Sequence, residues 1–221
     1  MDGLTPHQQR QVRAVLSLLE ADEHAPTAIR THERAMQAHV ADSMVALELE
    51  VVRSARQIAD LGSGAGFPGL ALAIALPESE MTLVESQGRR CEFLRRLCTG
   101  ARVDNAHVVC ARAEEWVDGA SSQDLVLARA LASQAVVLEY AAPLLLVGGT
   151  LVDWRGKRDR TAEAAADRAA MTLGLIREDV RSVVPFEGAT DRHLHVFVKT
   201  AATPPRFPRR PGIARKRPLG E

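Results

Sequence analysis

The chain has 221 residues, of which 46% are hydrophobic and 25% are charged. This length fits one α/β domain with a sizeable core, and the composition excludes a disordered or fibrous protein. The formal net charge is zero, yet residues 203–221 carry six basic residues and one acidic residue. A basic tail on a mildly acidic body suggests a polyanionic partner. A solvated tail that only aids solubility explains the composition equally well.

The three cysteines, Cys91, Cys98 and Cys110, have no metal-binding spacing, and their odd number argues against a disulfide framework. We expect them to be reduced, small apolar residues, and we expect no metal site. The N-terminus lacks a signal-peptide layout, and the longest apolar run, residues 135–147, is too short to span a bilayer. The sequence therefore predicts a cytoplasmic protein without membrane contact, and we expect a monomer.

Two helical segments come first in chain order. Residues 6–22 place aliphatic side chains at helical spacing after Pro6, and residues 31–52 predict a second helix with Thr31 as its N-cap. Because both segments precede any strand, we expect residues 1–55 to form a helical cap within the same domain as the rest.

Strand and helix signals then alternate over residues 56–200, the expected core. Strands are predicted at 56–61, 81–85, 107–110, 123–128 and 150–154, and helices at 69–76, 89–98, 133–146 and 161–173, with a helical turn at 114–117. Two further strands, at 176–183 and 193–200, predict an antiparallel hairpin. The pattern predicts a Rossmann-like, doubly wound and mostly parallel sheet that ends in this hairpin, followed by a basic tail over 201–221.

A glycine-rich turn, ADLGSGAGFPG, follows the first predicted strand, where ligands bind in such sheets. Gly64, Gly66 and Gly69 match the GxGxxG pattern of NAD-binding proteins, which is a weak signal alone. Asp60 with Gly62, Gly64 and Gly66 fits a second template, in which a carboxylate accepts an α-amino group and repels a pyrophosphate. S-adenosylmethionine has an amino acid end and no phosphate. The turn therefore favours this donor, with glycines that let the backbone approach it closely.

Two further segments are candidates to hold an adenosyl group. Glu85 ends the second strand and can accept both ribose hydroxyls, although NAD enzymes also place an acid there. Residues 110–115, CARAEE, offer backbone amides and a polar side chain to an adenine edge, while an ordinary helix start explains them equally well. An NAD-dependent oxidoreductase stays a weaker alternative, since Leu144 rather than lysine lies four residues after Tyr140.

The segment after the fourth strand bears on the methyl acceptor. Residues 127–133, LARALAS, lack the Asn/Asp-Pro-Pro-aromatic tetrapeptide of enzymes that methylate exocyclic amines. No cysteine lies by a proline at a strand end, as the nucleophile of a pyrimidine-C5 methylase would. An acceptor with a free lone pair, such as guanine N7, needs neither device.

Several motifs together resemble one family and cover nearly the whole chain. They are TAIR (27–30), HVADS (39–43), DLGSGAGFPGL (60–70), LVESQGRRCEFLR (83–95), RAEE (112–115), ARA (128–130), WRGK (154–157), RHLHVFVK (192–199) and PRFPRRPGIARKRPL (205–219). The FPG extension and the basic tail are the most specific. The family is the bacterial small-subunit ribosomal RNA guanine-N7 methyltransferase G family, also called glucose-inhibited division protein B.

The resemblance implies a class I S-adenosylmethionine-dependent methyltransferase fold and N7 methylation of one guanine in the 530 loop of 16S rRNA. It also implies cofactor contacts by Gly62, Phe67, Ala113, Glu114 and Arg129, with Arg129 near the acceptor as well. The chain departs from the family at Arg155-Gly156, where relatives often have Lys-Gly. It departs again at Val40-Ala41, which replace bulkier residues of the cap.

The expected chemistry requires little from side chains. Guanine N7 carries no proton, so no general base is needed and positioning supplies most of the catalysis. We therefore assign no certain acid, base or nucleophile. Arg129, Asp42 and His39 are candidates to position the base or the cofactor, although a surface pair on one helix explains Asp42 and His39 as well.

The expected partner is 16S rRNA or the small ribosomal subunit, bound through its shape and backbone with the target base drawn out. Phosphate contacts are expected from a set of basic residues that would form a rim at the carboxyl end of the sheet. These are Arg89, Arg90, Arg155, Lys157, Arg192, Arg206, Arg209, Arg210, Arg215, Lys216 and Arg217. Phe67 and Trp154 are stacking candidates, although buried packing fits Trp154 better. A binding module for RNA and adenosylmethionine without activity stays open, because N7 transfer leaves no catalytic signature.

Overall fold

The computed structural model describes residues 3–29 and 31–220. The first two residues of the predicted cap, the last residue of the TAIR segment and the last residue of the tail lie outside this range. Seven strands form one sheet in the order β3-β2-β1-β4-β5-β7-β6. They are β1 (Gln57–Leu61), β2 (Glu80–Glu85), β3 (Ala106–Cys110), β4 (Gln123–Arg129), β5 (Leu145–Arg155), β6 (Leu175–Ser182) and β7 (His193–Lys199).

The direction of the strands matches the prediction. The first five strands pair in parallel, and β7 runs antiparallel to both β5 and β6. The doubly wound sheet that ends in an antiparallel hairpin is therefore confirmed. Because the chain winds outward from β1 through β2 to β3 and then returns to β4, the winding reverses between β1 and β4. Their carboxyl ends are where such a sheet binds its ligands.

Helices cover both faces of the sheet, and each face has its own buried apolar core. One core lies under the N-terminal cap and the helices that follow β1 and β2, and the other lies under the helices that follow β4 and β5 and under the C-terminal tail. The helices are α1 (Pro6–Ala21), α2 (His32–Ala35), α3 (Asp42–Met44), α4 (Glu50–Ser54), α5 (Gly69–Ala75), α6 (Gly88–Ala101), α7 (Gln134–Ala141), α8 (Arg160–Leu173) and α9 (Ile213–Lys216). None of the described helices is long and apolar enough to cross a membrane.

The predicted single helix over 31–52 is wrong in detail. The segment consists of α2, a π-helical turn (Met36–Ala41), α3, a 3-10 turn (Val45–Glu48) and α4. The helical path breaks at Leu49, whose backbone is extended with ψ 126° and whose side chain is buried. Burial of this leucine requires a bend that apolar spacing does not reveal.

The predicted helix over 133–146 is too long. It ends as α7 at Ala141, and β5 begins at Leu145, five residues before the predicted start at Thr150. Pro143 explains the early end, because proline lacks the backbone N–H that would donate the next hydrogen bond of the helix.

The prediction of three reduced cysteines is also wrong. A disulfide joins Cys91, in the first turns of α6, to Cys110 at the end of β3, with their Cα atoms 5.7 Å apart. Cys98 is free and buried, and burial raises the pKa of its thiol to about 11. The odd count misled the prediction, because pairing depends on which elements lie side by side rather than on how many cysteines exist.

The C-terminal tail folds back along the face of α7 instead of projecting into solvent. Phe207 and Ala214 are buried in the same core as α7 and α8. At its far end, the Gly220 carbonyl accepts a hydrogen bond of 2.9 Å from Nε of Arg168 in α8. The tail that only aids solubility is therefore excluded, since a solvated segment would not bury these side chains.

Candidate active site

The glycine-rich turn between β1 and α5 requires glycine for conformational reasons. Gly62, Gly64 and Gly66 have φ values of +69°, +53° and +97°, a region that other residues rarely adopt. A Cβ on Gly62 would also lie 2.6 Å from the side chain of Leu131, which follows β4. The turn therefore lies at the carboxyl ends of β1 and β4, as predicted, and its three glycines leave the backbone open to close approach by a ligand.

Asp60 lies beneath this turn and is almost completely buried. Its Oδ2 accepts a hydrogen bond of 3.0 Å from the backbone N–H of Gly69 at the start of α5. Its Oδ1 has no partner among the described residues. Burial raises the pKa of this carboxyl to about 6. A buried carboxylate oxygen without a donor is costly, and an ammonium group of a ligand would satisfy it.

Glu85 ends β2, as the sequence predicts. Its carboxylate accepts hydrogen bonds from the glycine-rich turn and from the turn that follows β2. Oε2 accepts the N–H of Gly64 at 3.1 Å, and Oε1 accepts the N–H of Gln87 at 2.9 Å. Oε1 also accepts a long hydrogen bond of 3.4 Å from Oγ of Ser86, and Oε2 lies 3.9 Å from Nη1 of Arg90. A carboxylate has about four lone-pair sites, so Oε2 can accept a further hydrogen bond. The expected contact of Glu85 with ribose hydroxyls therefore stays a prediction, which this geometry permits.

A cavity of about 420 Å³ opens at the carboxyl ends of β1 to β4, and neither Asp60 nor Glu85 is among its lining residues. It is lined by Gly62, Val84, Ser86, Gln87, Ala111, Arg112, Ala113, Glu114, Leu131, Tyr140 and Arg215. Three predicted cofactor residues are among them: Gly62, Ala113 and Glu114. Sequence reasoning missed Leu131 and Tyr140 as lining residues, and it assigned Arg215 to RNA. No local pattern links these positions, because the fold brings them together from distant parts of the chain.

Arg129, the last residue of β4, is the centre of a polar cluster with the cap. Its Nη1 donates to Oδ2 of Asp42 at 2.7 Å and to the carbonyl of Ala38 at 3.3 Å. Its Nη2 lies 3.4 Å from Nδ1 of His39. Oδ1 of Asp42 is 3.5 Å from Nε of Arg192. His39 and Asp42 are both buried. The alternative that they form a surface pair on a helix is therefore wrong, and the cap instead orients the arginine.

The surroundings of His39 fix its ring and favour the neutral imidazole. Its Nε2 lies 3.0 Å from Oγ1 of Thr27, and its ring stacks on Phe67 with the ring centroids 4.9 Å apart. Burial, followed by the nearby charge of Arg129, lowers the pKa of His39 to about 4. His39 is thus suited to positioning rather than to proton transfer at neutral pH.

The two aromatic stacking candidates are both buried. Trp154 donates from Nε1 to the carbonyl of Asp42 at 2.9 Å, so the expectation of buried packing is confirmed. Phe67 packs against His39. Stacking of either ring on an RNA base would require rearrangement of the cap, while the cofactor contact expected of Phe67 stays a prediction.

Two of the basic residues expected on RNA are instead tied to buried carboxylates. Arg155 donates to Oδ2 of the buried Asp153 at 2.6 Å and to the carbonyl of Ala132 at 2.8 Å. Arg209 binds the buried Glu139 through Nε at 2.8 Å and Nη2 at 2.5 Å. Both guanidinium groups therefore stabilise the structure around the site, and their expected contacts with RNA stay predictions.

The remaining basic residues are more accessible. Arg89 and Arg90, at the start of α6, line a groove of about 690 Å³ together with Arg96. Arg206, which lies over the ring of Phe207, is exposed, as are Lys157, Arg192, Arg210, Arg215, Lys216 and Arg217. The predicted rim is thus divided between the start of α6, the loop after β5, the residue before β7 and the tail.

Comparisons with known proteins agree with this geometry. The family model described as rRNA small subunit methyltransferase G matches residues 11–195. A ribosomal RNA small subunit methyltransferase G of Chloroflexus aggregans is 38% identical over 224 residues, which cover 98% of this chain and 92% of the relative. The protein of the same name from Rubrobacter xylanophilus is 38% identical over 196 residues, covering 86% of this chain and 75% of the relative.

Solved structures show the same fold at low identity. The mitomycin 7-O-methyltransferase MmcR superimposes with a TM-score of 0.62 at 16% identity, covering 88% of this chain and 69% of that one. The fibrillarin of Aeropyrum pernix, solved with natively bound S-adenosyl-L-methionine, superimposes with a TM-score of 0.55 at 19% identity, covering 72% of this chain and 73% of that one. The architecture is therefore that of class I methyltransferases.

Proposed function

Because the chain belongs to the rRNA small subunit methyltransferase G family, we propose that it methylates guanine N7 in the 530 loop of 16S rRNA with S-adenosylmethionine. One observation carries the choice of donor: the orphan Oδ1 of buried Asp60 beneath the glycine turn. A cationic amino group satisfies this oxygen, whereas a pyrophosphate would be repelled by it. The same observation disfavours an NAD-dependent oxidoreductase.

We assign the holding of the donor to groups around the cavity. Asp60 takes the amino group, Glu85 takes the ribose hydroxyls, and the segment around Ala113 and Glu114 frames the adenine. The backbone of Gly62, Gly64 and Gly66 provides the close approach. Phe67 and Arg129 border the amino acid end, where the guanidinium charge of Arg129 suits a carboxylate.

When bound, the donor supplies a sulfonium methyl group that is open to nucleophilic attack. Guanine N7 would form the new bond to this methyl carbon as the bond from carbon to sulfur breaks, and its electron pair would go to sulfur while the positive charge passes to the purine. No proton leaves N7, so the chain needs no base. Arg129, held by Asp42 and His39, positions the acceptor in line with the methyl group, and such positioning supplies the rate enhancement.

The RNA-facing surface follows from the accessible basic residues. We assign phosphate contacts to Arg89, Arg90, Lys157, Arg192, Arg206, Arg210, Lys216 and Arg217. The target guanine would leave its stack to reach the donor. We further propose that the protein acts as a monomer in the cytoplasm, on 16S rRNA or the small ribosomal subunit.

The direct test is methyl transfer from labelled donor to small subunits and naked 16S rRNA taken from cells that lack this modification. We expect one methyl group per RNA, at a 530-loop guanine that becomes sensitive to the cleavage chemistry specific for 7-methylguanosine. A matched RNA with 7-deazaguanine at that position should accept no methyl group, because the nucleophilic nitrogen is missing. Methylation of the deaza RNA would refute the choice of atom. Donor and RNA binding without transfer to any substrate would support the inactive binding module instead.

A further inference from the structure

The C-terminal tail contacts the cavity at two points of its wall. The backbone N–H of Gly212 donates to Oε1 of Glu114 at 3.2 Å, across 98 residues of sequence. Nη2 of Arg215 donates to the carbonyl of Leu131 at 3.0 Å, across 84 residues. Glu114 and Leu131 both line the cavity, on the segments that follow β3 and β4. The tail therefore closes one side of the space beside the glycine turn.

Arg215 itself lines this cavity, the only tail residue in the described structure that does so. The phenol of Tyr140, buried in α7, interacts with the side chains of both Arg215 and Glu114. A cation, an anion and a hydroxyl group thus meet on one wall whose other members include the apolar Val84 and Leu131. A convergent set of complementary polar groups on the wall of a concave cleft is typical of a ligand site.

A buried ion pair holds this wall in place. Arg209 binds Glu139, which is 1% exposed, through its backbone N–H at 3.1 Å and its side chain at 2.8 and 2.5 Å. Nη2 of Arg209 also donates to the carbonyl of Arg217 at 2.8 Å, which closes the tail on itself around α9. Arg209 is a positioning residue for the segment that carries Arg215.

We infer that Arg215 is a donor-binding residue that contacts the adenosyl part of S-adenosylmethionine, and that the tail forms a wall of the donor pocket. This inference rests on the proposed donor. A guanidinium group fits the assignment, because it lies flat against an aromatic base and donates hydrogen bonds from its edge. The adenosyl part is favoured over the amino acid end because the tail touches the segments after β3 and β4 and reaches neither Asp60 nor Arg129 through any contact described.

The test is calorimetric binding of S-adenosylhomocysteine and of 5′-methylthioadenosine, which lacks the amino acid end, to the full-length protein. We expect Arg215→Ala to weaken both ligands by the same factor, roughly five- to thirtyfold, because the lost contact is with their shared adenosyl part. Arg215→Lys should fall between Arg215→Ala and the wild type, since lysine keeps the charge but not the planar fork. Arg217→Ala removes an exposed arginine two residues further along the tail and should leave both affinities unchanged.

The outcomes separate this inference from the function on which it rests. Wild-type affinity of Arg215→Ala for both ligands, together with weaker binding to small ribosomal subunits, would make Arg215 an RNA contact and overturn the inference. Loss of affinity for S-adenosylhomocysteine alone would place Arg215 at the amino acid end and equally overturn it. If the wild-type protein bound neither ligand, the proposed donor itself would fail.

Discussion

The N-terminal cap and the C-terminal tail pack on opposite faces of the sheet, and they stabilise the site at the carboxyl ends of the strands by different means. The cap inserts two buried polar side chains, His39 and Asp42, that bind Arg129 beside the glycine turn. The tail instead docks through one buried ion pair, Arg209 with Glu139, and places a single arginine at the cavity. In the roles proposed above, the cap acts on the group that positions the acceptor, and the tail acts on the adenosyl side of the donor.

This difference has an energetic reason. Both carboxylates are buried, but Glu139 more completely: its side chain is 1% exposed and that of Asp42 is 8% exposed, while their partners Arg209 and Arg129 are 24% and 17% exposed. A charge that is fully buried must be paired, so the tail pair should govern stability. The cap pair lies at the edge of the site and should govern the rate. Variants of the two pairs can test this division directly.

The largest effect is expected from Arg209→Ala. It leaves the Glu139 carboxylate buried without its partner, which should cost about 3–5 kcal/mol in the free energy of unfolding. Urea denaturation of the full-length protein measures this change. Arg210→Ala, at an exposed neighbouring arginine, is the matched control and should change stability by less than about 0.5 kcal/mol. Equal stability of the two variants would contradict the claim that the tail ion pair governs stability.

The second effect concerns the cap pair and the rate. Arg129→Ala should lower kcat/KM for methyl transfer by about 10²–10³-fold, since it removes a preorganised charge at the reacting centre. Asp42→Asn keeps the arginine but weakens its hold, and should cost about tenfold through less accurate positioning. With saturating donor, the rate of transfer should not depend on pH in either variant, because no side chain transfers a proton in the reaction. A full rate in Arg129→Ala would refute the role of the cap.

The smallest effect is a pH dependence of donor affinity that arises from Asp60. Burial raises the pKa of its carboxyl to about 6, so the free protein holds a proton there below that pH. An ammonium ligand binds the carboxylate and must displace this proton. The affinity for S-adenosylhomocysteine should therefore fall by up to about tenfold for each pH unit below 6. Asp60→Asn should bind more weakly with a flat profile, and a flat wild-type profile would contradict the assignment.

Local chemistry accounts for the parts that the sequence predicted well. The glycine-rich turn was predictable because φ values such as +97° at Gly66 are open mainly to glycine. The order of strands and helices followed from apolar spacing, which depends on neighbours a few residues apart. By contrast, the break at Leu49 and the early end of α7 at Ala141 depend on packing and on one proline, so spacing alone placed them wrongly.

The sequence by itself determined a doubly wound sheet, a glycine turn over Asp60 and a family resemblance. Each of these depends on patterns within short segments of the sequence. Only the tertiary structure decided which basic side chains are exposed and which pair with buried carboxylates. Arg209 and Glu139 lie 70 residues apart, and the disulfide between Cys91 and Cys110 joins α6 to β3. The physical reason is that burial and ion pairing depend on which residues the fold brings together. The sequence around an arginine does not show whether its side chain is exposed, pairs with a buried carboxylate or lines a pocket.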